Sequence, residues 1–173
     1  AVYGFAEGGT DEDGEINPFN EYGKTKFEAE EVLRRWQTTH NTSLIIVRPT
    51  VIFGEGNRGN VFNLLKQIAS GSFVMIGNGK NKKSMAYVKN VAAYIEKCVA
   101  MDKKYGISNY VDTPDLTVGE LVYLARKTLK GASGMGFRMP KWLGMCLAYL
   151  FDLAALVTKK QFRVSSIRVK KFL

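Results

Sequence analysis

The chain is short of cysteine, of acidic side chains and of any long apolar run, and each scarcity removes a class of protein. Two cysteines, Cys98 and Cys146, stand in 173 residues, which gives neither a disulfide framework nor zinc-ligand spacing. Both fall in apolar helical patterns and read as buried thiols of a cytosolic protein, and no metal site is expected. The most apolar stretch, 142–157, is shorter than the roughly 20 residues a bilayer-spanning helix needs and contains Asp152. It reads as a buried or cleft-covering helix. The alternative is an interfacial membrane helix, because Trp142, Lys141, Lys159 and Lys160 suit a headgroup boundary. No signal peptide, internal repeat or low-complexity linker is visible.

Acidic residues number 16 against 25 lysines and arginines, leaving a net charge of +9. The lysines at 80–83, 103–104, 159–160 and 170–171 are spread along the chain, and no nucleic-acid motif accompanies them. They read as solvated surface, some of it able to attract an anionic small molecule. Hydrophobic residues make up 46% of the chain, enough to bury the core of one domain or parts of two.

What the chain does hold is Asn20-Glu21-Tyr22-Gly23-Lys24-Thr25-Lys26, running into a helical pattern over 21–39 with Ala29, Val32, Leu33 and Trp36 as its apolar stripe. In a helix, Tyr22 and Lys26 stand at i and i+4 on one face. An ammonium held beside a phenol favours the phenolate, which makes such a pair a working acid/base unit. Upstream, Val2-Tyr3-Gly4 reads as a strand end entering a glycine turn, followed by a polar, acidic loop. Downstream, residues 44–47 are a β-branched run of the kind buried on both faces of a parallel sheet. That run ends in Arg48-Pro49-Thr50-Val51-Ile52-Phe53-Gly54-Glu55-Gly56, where proline stops regular structure.

Strand, Tyr-x-x-x-Lys helix, strand and Arg-Pro-Thr-x-x-Phe-Gly-x-Gly, in that order, resemble the extended short-chain dehydrogenase/reductases, the NAD-dependent sugar-nucleotide epimerase/dehydratase family. The resemblance implies an α/β fold: the C-terminal part of a Rossmann-type doubly wound parallel sheet, plus a small α/β substrate-binding domain. It implies NAD or NADP as cofactor, Tyr22 as general acid/base, and Lys26 as its partner and as a ligand of the nicotinamide ribose. Pro49, Thr50 and Val51 would line the nicotinamide end. Members of the family also carry a GxxGxxG turn and a catalytic Ser or Thr ahead of the Val-Tyr-Gly strand end, and neither is found here. The chain is accordingly read as the C-terminal portion of a longer enzyme, expected to be poorly stable or to aggregate on its own.

On this reading, residues 1–57 are the C-terminal half of the dinucleotide-binding domain. Residues 58–173 are mainly the substrate-binding domain, with 85–101 able to pack back on the first part. Arg58, in the glycine-rich turn, and Lys83, where many relatives carry arginine, are candidate substrate-binding residues. Lysine supplies charge there without a bidentate fork. Asn90 replaces a usual aspartate and reads as the N-cap of a helix over 91–101. Thr117 and Glu120 form a capping box that opens a helix over 117–129, and 161–173 reads as a closing helix. The expected reaction is epimerisation or dehydration of a nucleotide-sugar through transient hydride transfer in the cytoplasm. Val51 stands where many nucleotide-sugar enzymes carry asparagine, so a reductase or dehydrogenase of a non-nucleotide, steroid- or flavonoid-like substrate is the alternative. A noncatalytic NAD(P)-binding regulator is a third reading. Homodimers, often built on the Tyr-x-x-x-Lys helix, are what the resemblance implies for assembly.

Overall fold

Short β-branched runs form strands and the 3.6-periodic segments between them form helices. The computed structural model describes residues 2–4 and 9–158. In chain order it holds α1 (Glu21–His40), β1 (Leu44–Pro49), β2 (Val51–Phe53), α2 (Asn60–Ser70), β3 (Met75–Ile76), β4 (Lys82–Lys83), β5 (Met85–Tyr87), α3 (Val88–Val99), β6 (Tyr105–Tyr110), β7 (Leu116–Thr117), α4 (Val118–Lys130), β8 (Arg138–Met139) and α5 (Lys141–Thr158). The closing helix read over 161–173 lies outside the described residues. The chain divides into two compact units, one of Ala1–Gly54 with Met85–Asp112, the other of Glu55–Ser84 with Thr113–Leu173.

In the first unit β1 runs parallel to β6, with Leu44 opposite Tyr105 and Pro49 opposite Tyr110, and β2 runs parallel to β5, with Val51 opposite Met85. Parallel pairs of this kind belong to α/β folds, whose crossovers carry helices. Val2, Ile46, Ala86, Val91 and Cys98 are its buried apolar residues. Gly54 follows β2 at a point where an added Cβ would lie 2.3 Å from Val88 Cγ1, so the glycine is there for close packing against the start of α3. Gly56, two residues on, supplies the positive φ of the turn.

Helix α1 does not pack as its hydrophobic stripe implied. The side turned inward carries Gly23, Phe27, Glu30, Arg34 and Gln37, of which Gly23 and Glu30 are buried, whereas Val32, Leu33 and Trp36 are exposed. The cause is a charge. Arg48 ends the apolar β1 run with its guanidinium out of solvent, and a buried guanidinium requires a hydrogen-bonded carboxylate. Glu30 supplies it, donated to by Arg48 Nε at 3.0 Å and Nη2 at 2.6 Å. That fork turns the Glu30 face of α1 toward β1.

The second unit is built on Ile68, Met75, Val118, Val122 and Ala125, with Leu64, Leu65, Phe73 and Met135 packed against them. These come mostly from the inner faces of α2 and α4. Strand β3 runs parallel to β8, and β4 antiparallel to β7, with Lys83 opposite Leu116. Thr117 caps α4 as its sequence implied: its hydroxyl accepts from the Glu120 N–H at 3.1 Å while the Glu120 carboxylate accepts from the Thr117 N–H at 2.8 Å.

Three further expectations are corrected. Asn90 is not a cap, because β5 runs directly into α3 at Val88 and the N-cap is Tyr87, without a side-chain cap bond. Cys98 is buried, but Cys146 is exposed. In α5 only Gly144 and Ala148 are buried among the described side chains, and Trp142, Tyr149 and Leu150 face outward. Small residues let this helix sit close: a Cβ on Gly144 would lie 2.6 Å from Ile76 Cγ2. Among the described residues no helix is long and apolar enough to cross a membrane.

Candidate active site

The Tyr22–Lys26 pair sits at the start of a well-capped helix. Asn20 precedes α1 in extended conformation, and its Oδ1 accepts the Gly23 N–H at 2.9 Å. This cap starts the helix at Glu21 and so places Tyr22 and Lys26 in its first two turns. Tyr22 is 62% exposed, with its phenol on the surface of the unit. Lys26 Nζ lies 5.6 Å from the centre of the Tyr22 ring, close enough for cation–π attraction. The structure therefore brings these two residues together and leaves the phenol accessible to a bound molecule.

Pro49, Thr50 and Val51 span the break between β1 and β2 in the same unit. The Thr50 N–H donates to the Tyr110 carbonyl at 3.0 Å, which fixes the backbone. Its Oγ1 is shut away from solvent and has no hydrogen-bond partner. A buried hydroxyl left in this state costs free energy unless something else completes it. Val51 is 45% exposed. The other two sequence-derived candidates belong to the second unit. Arg58 is exposed on the turn before α2, where Asn57 Oδ1 accepts the Gly59 N–H at 2.7 Å. Lys83 is half-buried in β4.

Two polar clusters beside these residues escaped the sequence reading. The first gathers around Arg48. Besides its fork to Glu30, Nη1 donates to the Tyr3 hydroxyl and, at 3.5 Å, to the Glu12 carbonyl. The Tyr3 hydroxyl in turn donates to Asn109 Oδ1 at 3.0 Å. One guanidinium thus joins the Tyr3 turn, the acidic loop, α1 and β6. The Glu30 hydrogen bond, opposed by burial and aided by Tyr3, pushes the Arg48 pKa further up. A charged residue closing an apolar strand was the available signal, since it demands a partner.

The second cluster is Asp112, which follows β6. Its carboxylate accepts the Tyr87 N–H at 2.7 Å, Asn90 Nδ2 at 3.1 Å and the Tyr110 hydroxyl at 3.0 Å. The Tyr87 backbone bond is the main cause of its lowered pKa, helped by Asn90 and Tyr110 against the effect of burial. Tyr110, whose carbonyl holds Thr50, has its own phenol pKa raised, first by burial and then by Asp112. Asn90 thus serves Asp112, and the position keeps its amide for a reason other than capping.

Residues 1–109 match the sequence profile of the NAD dependent epimerase/dehydratase family. The chain belongs to that family. A curated relative, the N-acetyl-alpha-D-glucosaminyl-diphospho-ditrans,octacis-undecaprenol 4-epimerase of Escherichia coli O157:H7, is 51% identical over 99% of this chain and 53% of its own length. The UDP-glucose 4-epimerase of Vibrio cholerae is 27% identical over 61% of this chain and 33% of its own. Among solved structures, the UDP-glucuronic acid 4-epimerase of Bacillus cereus in complex with NAD superposes with a TM-score of 0.69 at 19% identity, covering 81% of this chain and 47% of that one. That likeness shows the fold, and the chain is a part of a Rossmann-type α/β epimerase fold. It spans about half the length of the Escherichia coli and Bacillus cereus proteins.

The epimerase/dehydratase family takes NAD, and the first unit holds groups whose chemistry suits a nicotinamide nucleotide. Thr50 offers a buried hydroxyl lacking a partner, and Tyr22 with Lys26 offers a phenol and an ammonium at the surface. Both the Tyr-x-x-x-Lys helix and the strand break that the sequence singled out are therefore chemically equipped in the same unit.

Proposed function

We propose that the whole protein is an NAD-dependent 4-epimerase acting on a hexose carried by a diphosphate, with Tyr22 as its acid/base and Lys26 as the positioning cation. The observation that carries this reading is the Tyr22–Lys26 pair, an accessible phenol with an ammonium 5.6 Å from its ring centre. Bound NAD supplies the acceptor and donor of hydride. Tyr22 takes the proton of the sugar hydroxyl at the carbon being inverted and returns it after the sugar has presented its other face. Lys26 sets its positive charge beside the phenol and donates to the nicotinamide ribose. Thr50 completes its buried hydroxyl against the nicotinamide end, between Pro49 and Val51. Arg58 and Lys83 offer positive charge to the diphosphate.

The carrier beyond the diphosphate is proposed to be a polyprenol. The relative that is 51% identical is named for an undecaprenol-linked substrate, and Val51 offers an apolar surface where many nucleotide-sugar enzymes carry asparagine. The test is to incubate the whole protein with N-acetylglucosaminyl diphosphate on a short polyprenol and, separately, with UDP-N-acetylglucosamine, and to separate the 4-epimers. Turnover of the polyprenol substrate is expected, together with a loss of at least about a thousandfold in Tyr22→Phe, within the range assigned to general acid/base catalysis. Unchanged turnover in Tyr22→Phe would remove the residue from the mechanism. Preference for the UDP-sugar would reassign the carrier while leaving the chemistry in place.

A further inference from the structure

We propose that the outward face of α5 is a docking surface for an anionic lipid bilayer, holding the protein at the plane in which a polyprenol-carried substrate resides. Trp142, Cys146, Tyr149 and Leu150 fall at i, i+4, i+7 and i+8, one continuous helical face. All four are exposed, Trp142 by 68% and Leu150 by 61%. The opposite side is made of Gly144 and Ala148, both buried, with Gly144 seated on Ile76. Small residues thus attach the helix to its own unit, and the large apolar and aromatic ones are turned away from it. An ordinary surface helix distributes them the other way round.

Charge identifies the occupant. Arg138 and Lys141 are exposed at the N-terminal end of α5. Over 138–173 the sequence carries Arg138, Lys141, Lys159, Lys160, Arg163, Arg168, Lys170 and Lys171, eight cations, against the single acid Asp152. A second protein covering an apolar face has no need of that imbalance, whereas an anionic leaflet attracts it and accepts Trp and Tyr at headgroup depth. Among the described residues no helix is long and apolar enough to cross the bilayer, and in this proposal α5 lies along the surface. The docking rests on the polyprenol reading only for its purpose, because lipid binding is measurable without substrate.

The experiment is flotation of the whole protein with phosphatidylcholine vesicles, with and without phosphatidylglycerol. Co-flotation with the phosphatidylglycerol vesicles is expected, weakening as salt is raised. Replacing both Tyr149→Ser and Leu150→Ser should lower the partition coefficient at least about tenfold. Arg138→Gln with Lys141→Gln should reduce the preference for the anionic vesicles, a readout that a merely misfolded variant would not mimic. Failure to float with either vesicle, equal flotation by both double variants and the parent, or sedimentation showing this face buried between two copies would each overturn the proposal. Epimerisation of a detergent-dispersed substrate without flotation would sink the docking alone. Flotation without epimerisation would sink the catalytic reading and leave the docking intact.

Discussion

Glu30→Gln keeps the shape of the side chain that meets Arg48 and removes its charge. The two side chains are 11% and 8% exposed, and the fork between them has its shorter arm at 2.6 Å. Breaking a buried pair by removing one partner costs about 3–5 kcal/mol, because the remaining charge stays out of water. The glutamine oxygen still accepts one bond, so the lower end, about 3 kcal/mol, is expected. With a urea slope of about 2 kcal/mol per molar, the midpoint should fall by about 1.5 M. Glu30→Met with Arg48→Met removes both charges and fills the same space, and should recover most of that loss, since apolar replacement of a whole buried pair is often neutral or better. The assay is urea denaturation of the whole protein, followed by far-ultraviolet circular dichroism at low and high salt. A shift below about 0.5 M for Glu30→Gln would mean that the pair behaves as a solvent-screened surface bridge. The account of why α1 faces as it does would then be wrong.

Asp112→Asn removes the charge and replaces one of the two carboxylate oxygens with a donor, so that either the Tyr87 N–H or the Asn90 and Tyr110 donors lose their acceptor. It should cost about 1 kcal/mol at neutral pH. Because the folded pKa of Asp112 lies below the ordinary carboxylate value, its contribution is fully present above about pH 4 and is lost as pH falls through the lowered value. Parent and variant melting curves should therefore converge in acid, and a gap that persists there would exclude ionisation as its source. Thr117→Ala breaks the capping box of α4 and should lower stability by about 1 kcal/mol, with Thr117→Ser close to the parent. Equal melting temperatures for Ala and Thr at this position would show that α4 is held by its packing alone.

Elements with a local cause were legible in the sequence. Asn20 and the periodicity after it mark α1, the β-branched run before Arg48 marks β1, and Thr117-x-x-Glu120 marks the start of α4. The proximity of Tyr22 and Lys26 was legible for the same reason, since i and i+4 on a helix are neighbours whatever the rest of the chain does. Orientation was not. Periodicity says that Val32, Leu33 and Trp36 share a face, but not what that face meets, and the choice was made by Glu30 with a guanidinium 18 positions away. Asn90 misled because a good capping residue was taken by a more distant acceptor, Asp112. The outward face of α5 was hidden because an apolar composition is the same whether the large residues or the small ones turn inward.

The pairing of β1 with β6 has a consequence for how the chain is made. Leu44 meets Tyr105, so the two partners are separated by 61 positions in sequence. At about 5–20 residues per second of synthesis, β1 emerges roughly 3–12 s before its partner exists. During that interval the strand has no β6 to hydrogen-bond and offers a bare apolar edge to any other nascent chain. The same residues that make the finished strand suitable for burial make the ribosome-bound chain a client for holding chaperones, and slowing translation across residues 50–104 should increase the fraction lost to aggregates.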